Sequence, residues 1–400
     1  MNILTLNAGS SSIKYKVFLF TNNNENTVLL SGLIEGIGES GGVWSHQYQS
    51  KEKHEHQFSN HKEAFDALDL QLKQDLINYP IHGVGHRVVH GGNKYFEPTV
   101  ITPLVLADIH KLAQLAPLHN PVNALGIEYA VQHFQKACQV AIFDTGFHHS
   151  MPSYVSQYAI DTEVALHYQV QRYGFHGINH EYVAISAAKF LNKPLSSCNF
   201  ISLHLGNGAS ACLIKEGKSF DTSMGMTPLA GLMMGTRCGD IDPAIPLYLL
   251  KQGVNANDID TLLNKKSGLK GIAAENDMRK ILTRVAANDE KAQLAVEMYV
   301  YALQKIIGAY LSQCNTFDAL IFTGGIGENA ALIREKTLSS LKHLGFNIDD
   351  SLNYQNNSEK CKAISVLGKL ILVICGDEES LMAQKVAEQI ISNSSVNKQY

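Results

Sequence analysis

Apolar runs of four to eight residues, each closing on a glycine- or asparagine-rich turn, recur along the chain and predict strands. The clearest case spans residues 199–225, NFISLHLGNGASACLIKEGKSFDTSMG. Residues 200–205 run into Gly206-Asn207-Gly208 and residues 209–214 leave it, which predicts a hairpin. The chain opens in the same way, with residues 3–6 leading into Asn7-Ala8-Gly9-Ser10-Ser11-Ser12 and then residues 13–20. Two such hairpins about half a chain apart suggest duplication. Further strands are predicted at 84–89, 140–143, 318–323 and 369–375. The 3.6-residue periodicity is strong over 289–311 and weaker over 61–78, and helices are also expected from near Val122 and over 330–341. Residues 324–329, GGIGEN, are predicted as a glycine loop between strand and helix. Residues 21–60 are polar, with Asn22-Asn23-Asn24 and histidines 46, 54 and 56, followed at once by His61, and are predicted as exposed strands and loops because no regular ligand spacing accompanies the four histidines.

Length changes this picture first. A chain of 400 residues exceeds what one core usually supports, so two α/β domains are expected, with a boundary near Ser150-Met151-Pro152. Their expected extents are 1–149 and 150–380, with the final helix, about 381–400, packing back on the first domain. A formal charge of −4 argues against non-specific nucleic-acid binding, while leaving room for a small anionic ligand held by a few arginines. The start, Met1-Asn2-Ile3-Leu4-Thr5, lacks a basic region, and no apolar stretch approaches the ~18 residues that span a bilayer, so no membrane role and a cytoplasmic location are expected. Seven cysteines with no CxxC pair read as thiols in a reducing compartment.

Candidate chemistry gathers at strand ends. The small hydroxyl-rich turn 7–12, followed by Lys14, can cradle phosphate oxygens or be a solvated turn. Arg87, between a strand and Gly91-Gly92, is placed to pin a carboxylate or phosphate, or to make a surface ion pair. His119, in a Pro-bounded loop, is a ligand contact or a cap. Asp144 follows a buried strand, where α/β proteins put catalytic or metal-positioning carboxylates. His176 and His180 are four apart, but Gly177 and the lack of HExxH speak against a zinc pair. Residues 221–246 hold four glycines with Arg237, Asp240 and Asp242 and read as a functional loop. Asp377 can cap the last helix, and Glu378 either satisfies its dipole or helps hold a hydrated Mg²⁺.

Taken in order, NAGSSSIK (7–14), GHRVVHGG (85–92), APLHNP (116–121), FDTGFH (143–148), RYGFHG (172–177), HLGNGAS (204–210), TPLAGLMMGTRCGDIDP (227–243), TGGIGEN (323–329) and DEES (377–380) resemble the acetate kinase family over nearly the whole chain. The pattern departs at Ile178-Asn179, where a Thr-Ser pair commonly stands, at Ala209 for glycine and at Ala230 for glutamate. The resemblance implies two duplicated actin-like (ribonuclease H-like) ATPase domains with a nucleotide cleft between them, a homodimer, Mg²⁺ (or Mn²⁺), and interconversion of ATP plus acetate with ADP plus acetyl phosphate.

The same resemblance implies roles for particular residues. Asn7, Ser10, Ser12 and Lys14 would lie near phosphates and metal, with Glu378 positioning Mg²⁺. His204, Leu205, Gly206, Asn207 and Gly208 would form an opposing phosphate loop, and Gly324, Gly325, Ile326, Gly327, Glu328 and Asn329 the adenosine site. Val89, Leu118, Phe175 and Pro228 would line a small acyl pocket, in which valine at 89 favours acetate over propionate by about 1 to 3 kcal/mol per methylene. Because acetate is ionised at pH 7, the chemistry needs clamps rather than a base. Arg87, Arg237 and His176 supply these, with Asp144 and Glu378 ordering the metal. An actin- or Hsp70-like ATPase without acyl kinase activity would explain the nucleotide loops but not the assembly of Arg87, Arg237 and His176. A propionate or butyrate kinase differs only at the pocket.

Overall fold

Each predicted hairpin seeds a sheet in the computed structural model, which describes residues 1–21, 26–355 and 359–396; the Asn22-Asn23-Asn24 run lies outside these. By contacts the chain divides into Met1–Gly146 together with the segment from Asp377 onward, and Phe147–Gly376.

In the first unit, β1 (Asn2–Ala8) pairs antiparallel with β2 (Ser12–Phe20), which continues through β3 (Asn26–Glu35), β4 (Val43–Tyr48) and β5 (Ser50–Glu55). On its other side β1 runs parallel to β6 (Gly83–Val88). With β7 (Thr99–Val100) and β8 (Cys138–Phe143) the order is β5-β4-β3-β2-β1-β6-β8-β7. Residues 3–6 of β1 are buried without alternation, as a strand covered on both faces requires. Phe65, Leu68 and Leu72 of the helix His61–Asp75 and Tyr129 and Ala130 of the helix Asn120–His133 share one core with Leu4, Leu6 and Val84. The first of these helices is capped at Asn60, whose Oδ1 accepts from Glu63 N at 3.0 Å while Glu63 Oε2 accepts from Ser59 N at 2.8 Å. The C-terminal helix Glu378–Val396 lies so close to β6 that a Cβ on Gly83 would come within 2.6 Å of Val386 and 2.8 Å of Ile390.

One expectation fails here. His46 is not exposed but 6% accessible, with Nδ1 2.7 Å from Tyr15 Oη and Nε2 2.8 Å from Asp75 Oδ2. A polar strand with an inward histidine is stable when both ring nitrogens find partners.

The second unit repeats the plan. β9 (Phe200–Leu205), β10 (Ala209–Lys215) and β11 (Lys218–Thr222) form an antiparallel set, and β9 runs parallel to β12 (Ala319–Thr323). After β13 (Phe346–Ile348) come β14 (Cys361–Ala363), β15 (Ser365–Gly368) and β16 (Leu370–Ile374), giving the order β11-β10-β9-β12-β16-β14 with β13-β15 as a separate ribbon. The sequence β11-β10-β9-β12-β16 matches β3-β2-β1-β6-β8 in order and direction, so the duplication extends from hairpin to sheet. Val183, Ala184 and Ala187 of the helix Gly177–Phe190 pack on Phe200, Cys212, Ile321 and Leu372. The helix Glu290–Leu311 buries Ala292, Ala295, Val296, Tyr299, Leu303 and Ile307 at the expected period, with Asp289 Oδ1 accepting from Ala292 N at 3.0 Å.

Two local readings change. The 199–225 hairpin is three-stranded, because Glu216 and Gly217 both take positive φ (51° and 74°) and turn the chain into β11. Residues 324–329 are not a loop but a short helix, Gly324–Asn329, that starts directly after β12. Gly324 makes this possible, with φ of 77° and a position where a Cβ would meet Leu205 O at 2.8 Å. Among the described residues no helix is long and apolar enough to cross a membrane, and all seven cysteines are free.

Candidate active site

In the first unit, parallel β6 and β8 end side by side, Arg87 opposite Ile142 and Val88 opposite Phe143, so Arg87 and Asp144 leave the same edge. Arg87 Nη2 donates to Asp144 Oδ2 at 2.5 Å and Nη1 donates to Asn7 Oδ1 at 3.2 Å. Burial works against the guanidinium charge, but Asp144, Glu378 and Glu379 outweigh it and hold its pKa above the ordinary value. Asp144 is 1% exposed, and its Oδ1 has no hydrogen-bond partner. An orphaned buried carboxylate oxygen of this kind is a place for a cation or an ordered water.

Glu378, in the first turn of the C-terminal helix, sits in the same field. Burial, with Asp144 and Glu379 alongside, pushes its carboxyl up to about 7, against Arg87 and Lys14, which pull it down. Glu379 is buried yet held below the usual range, because Lys14 (2.8 Å) and Lys16 (3.3 Å) outweigh its desolvation. Lys16 also pairs with Asp377 at 2.7 Å. Lys14, expected beside phosphate, is therefore engaged by Glu379 while remaining 43% exposed. In the turn before it, Gly9 N donates to Ser12 O at 2.8 Å and Ser10 is exposed. Magnesium takes hard oxygen ligands, typically one or two carboxylates with waters and phosphates. The orphaned Asp144 oxygen and the Glu378 carboxyl, which a cation would hold deprotonated, fit that donor set. No group of three or more His, Cys, Asp or Glu suited to an all-protein metal cage occurs among the described residues. Asn7, the other residue expected at the metal, has its Oδ1 accepting from Arg87 Nη1.

In the second unit the turn between β9 and β10 is the centre. His176 caps the helix Gly177–Phe190 in the left-handed region (φ 56°), a costly conformation for a non-glycine residue and one that concentrates at functional sites. Its ring stacks on His204 with centroids 4.1 Å apart and planes 21° apart. Gly208 lies against both His176 and Arg237: a Cβ there would be 3.4 Å from His176 Nε2 and 3.5 Å from Arg237 Nη1. Asn207 O accepts from Gly235 N at 2.9 Å, and its Oδ1 accepts from Asn276 Nδ2 at 3.2 Å. Arg237 Nη1 donates to Pro228 O at 3.2 Å, and burial lowers the guanidinium pKa. His176, His204, Asn207, Gly208 and Arg237 thus come together, with Gly206 in the same turn.

The other expected residues are placed as follows. Leu205 is fully buried and its side chain belongs to the core. Glu328 turns inward, its Oε1 accepting from Gly324 N (2.9 Å) and Gly376 N (3.0 Å). Asn329 Nδ2 donates to Gly325 O at 2.9 Å. Gly325 faces open space, Ile326 is half-buried and Gly327 is buried. Val89 and Phe175 are buried, Pro228 is half-buried and Leu118 is 50% exposed. His119 precedes the helix Asn120–His133 and makes no side-chain capping bond there, its carbonyl accepting from Asn123 N at 3.0 Å.

Several supporting residues escaped the sequence reading. Asn120 and Asn123 are buried one helical turn apart; Asn123 Oδ1 accepts from Val89 N (3.0 Å), its Nδ2 donates to Ala8 O (2.8 Å), and Asn120 Oδ1 accepts from His90 N (3.1 Å). They tie the ends of β1 and β6 together. Arg334 donates to Gly327 O, Glu328 O and Asn353, fixing the short glycine-rich helix. Ser202 and Ser210 are buried and flank His180, at 3.0 and 2.8 Å. The available signal was a single serine inside each of two apolar runs, which a core strand keeps only when it is bonded.

Comparison with known proteins places the chain in a family. A sequence model described as the acetokinase family matches residues 2–384. An acetate kinase of Sulfurovum sp. (strain NBC37-1) is 45% identical over 405 residues, covering 99% of this chain and 100% of that protein. One from Campylobacter lari is 43% identical over 401 residues, with 98% and 100% covered. Among solved structures, a propionate kinase from Francisella tularensis superposes with a TM-score of 0.89 at 41% identity, covering 96% of this chain and 98% of that one. An acetate kinase from Porphyromonas gingivalis does so with a TM-score of 0.88 at 37% identity, covering 97% and 99%.

Proposed function

The chain belongs to the acetokinase family, and from that premise we propose the reaction and the residues that perform it. The protein is an acetate kinase: it transfers the γ-phosphoryl group of ATP reversibly to acetate, giving acetyl phosphate and ADP. The acetate carboxylate attacks the γ-phosphorus in line, and no general base is required because the nucleophile is already ionised at pH 7. The geometric observation that carries the reading is the cluster at Gly208, where a bare backbone, an imidazole and a half-buried guanidinium converge. Donors gathered around exposed backbone are what a spreading phosphoryl charge needs.

In this reading Arg87, oriented by Asp144 and Asn7, clamps the acetate carboxylate. Arg237, His176 and His204 donate to phosphoryl oxygens, and the Asn207-Gly208 backbone lets the polyphosphate approach. The Gly324–Asn329 helix borders the adenosine, with open space at Gly325 to admit it. Asp144 and Glu378 would hold Mg²⁺ through its waters, and the ion would neutralise charge on the β- and γ-phosphate oxygens. Val89, Leu118, Phe175 and Pro228 set the acyl size limit, and valine at 89 favours acetate, with propionate a poorer substrate.

A second copy of the chain is the proposed partner. The second unit carries exposed Tyr154 (77%), Tyr301 (63%) and Met298 (42%) around a cavity of about 850 Å³ that Phe220 and Tyr310 also line. Large exposed apolar patches of this kind mark association surfaces.

Trapping the acyl phosphate with hydroxylamine tests the activity. Purified protein with Mg-ATP should yield hydroxamate from acetate fastest, less from propionate and least from butyrate. No hydroxamate from any acid defeats the kinase reading, and propionate outpacing acetate defeats the substrate assignment.

A further inference from the structure

His176 has its Nδ1 2.9 Å from Ser210 Oγ, and the same hydroxyl lies 2.8 Å from His180 Nε2. His180 Nδ1 is in turn 3.0 Å from Ser202 Oγ. Four side chains from three elements thus form one chain of hydrogen bonds: Ser202 on β9, His180 and His176 at the start of the helix Gly177–Phe190, and Ser210 on β10. Its inner members, Ser202, His180 and Ser210, are completely buried.

A serine hydroxyl has a single proton, so Ser210 can donate to only one of its two imidazoles and must accept from the other. His180 is fully buried, with desolvation and the neighbouring His148 and His204 pushing its pKa well down, so it carries one N–H. Two arrangements remain. In the first, His180 Nε2–H donates to Ser210, Ser210 donates to His176 Nδ1, and His176 carries its proton on Nε2. In the second every bond is reversed, and a neutral His176 presents a bare Nε2 lone pair. Only the first presents a neutral donor on the Nε2 side, which is the side that faces Gly208.

We infer that Ser210, itself held by His180, is a positioning residue that fixes His176 as the neutral imidazole protonated on Nε2, making it a standing hydrogen-bond donor for phosphoryl transfer. Both the donor role and the choice between the two tautomers rest on the acetate kinase reading, while the spectrum below reads the tautomer independently of activity. The neutral form also suits the surroundings, since Arg237 lies on the other side of Gly208 and His204 is stacked on the ring. His204 is treated in parallel: Asn179 Nδ2 lies 2.8 Å from its Nδ1, and an amide nitrogen can only donate, which leaves the His204 proton on Nε2. Two stacked rings then present two Nε2–H groups, one placed by a serine and one by an asparagine.

The test is ¹⁵N spectroscopy of the full-length protein labelled at histidine, with the His176 signals identified as those lost in His176→Gln. At neutral pH the wild type is expected to show His176 with a bare Nδ1 and a protonated Nε2, and Ser210→Ala to show a mixture of tautomers. In steady-state kinetics Ser210→Ala should lower kcat at least about tenfold, part of what one lost transition-state donor costs, while the KM for ATP stays within about twofold. A wild-type His176 protonated on Nδ1 overturns the inference even if the variant fails to fold. So does a Ser210→Ala protein with an unchanged tautomer, or one with a changed tautomer and wild-type kcat. Absence of kinase activity in the wild type would instead remove the proposed reaction and leave the tautomer to be read from the spectrum.

Discussion

Arg87 and Arg237 carry the same charge in opposite settings. Arg87 is already paired with Asp144, while Arg237 donates to the Pro228 carbonyl and makes no ion pair among the described residues. The first is therefore oriented in advance, and the second is a half-buried cation whose desolvation an arriving anion would offset. Glu378 is the acidic counterpart, pushed up to about 7 by burial and by Asp144 and Glu379. In the folded protein it keeps a proton that the unfolded chain releases near 4.3. Its contribution to stability is thus complete below about 4.3 and is lost as pH rises through about 7. In metal-free protein the melting temperature of the wild type, measured relative to Glu378→Gln, should fall by about 2–4 °C between pH 5 and pH 8. Mg²⁺ at pH 8 should restore the wild type alone, and a difference independent of pH contradicts this reading. Arg87 and Asp144 were legible in the sequence because strand-end charges beside glycines have few structural uses. Ser210 and Asn179 were not, because a small polar residue in a buried run acquires meaning only when its partner, far along the chain, is known.

At the scale of elements, periodicity found the two hairpins, the four parallel-type strands 84–89, 140–143, 318–323 and 369–375, and the long helix 290–311, since each buries one continuous pattern; the short strands 99–100, 346–348, 361–363 and 365–368 it did not find. It failed where backbone conformation decides. Glu216-Gly217 turned a hairpin into three strands, and Gly324 let a helix begin where a glycine loop was expected. The His46 strand was misread because its polarity is matched internally by Tyr15 and Asp75. Glycines separate into those that make room and those that do not. A Cβ on Gly235 would overlap the Asn207 side chain, whereas one on Gly308, inside the helix Glu290–Leu311, meets no atom within 4 Å. Gly235→Ala should raise the KM for ATP or lower kcat by about tenfold, the scale of a misplaced binding group, with the fold retained. Gly308→Ala should leave kinetics unchanged and stabilise the protein by up to about 1 kcal/mol. Equal kinetics for the two variants would remove Asn207 from the nucleotide site.

At the scale of the molecule, the duplication was visible in two short turns and proved to extend to five strands with matching order and direction. The apolar face of the second unit had no sequence signature, because its tyrosines and methionines are spread over residues 154–310 and meet only in the fold. Light scattering should give twice the 43.9 kDa chain mass, and Tyr301→Glu should return the monomer; a monomeric wild type contradicts the proposed partner. The central claim is that the proposed reaction is a direct transfer and that no residue of the protein carries the phosphoryl group. It is tested most directly by the stereochemistry at phosphorus, with ATP made chiral at the γ-position by oxygen isotopes and acetate as acceptor. The account predicts inversion of configuration in acetyl phosphate; retention would require a phosphorylated residue on the protein and would contradict it.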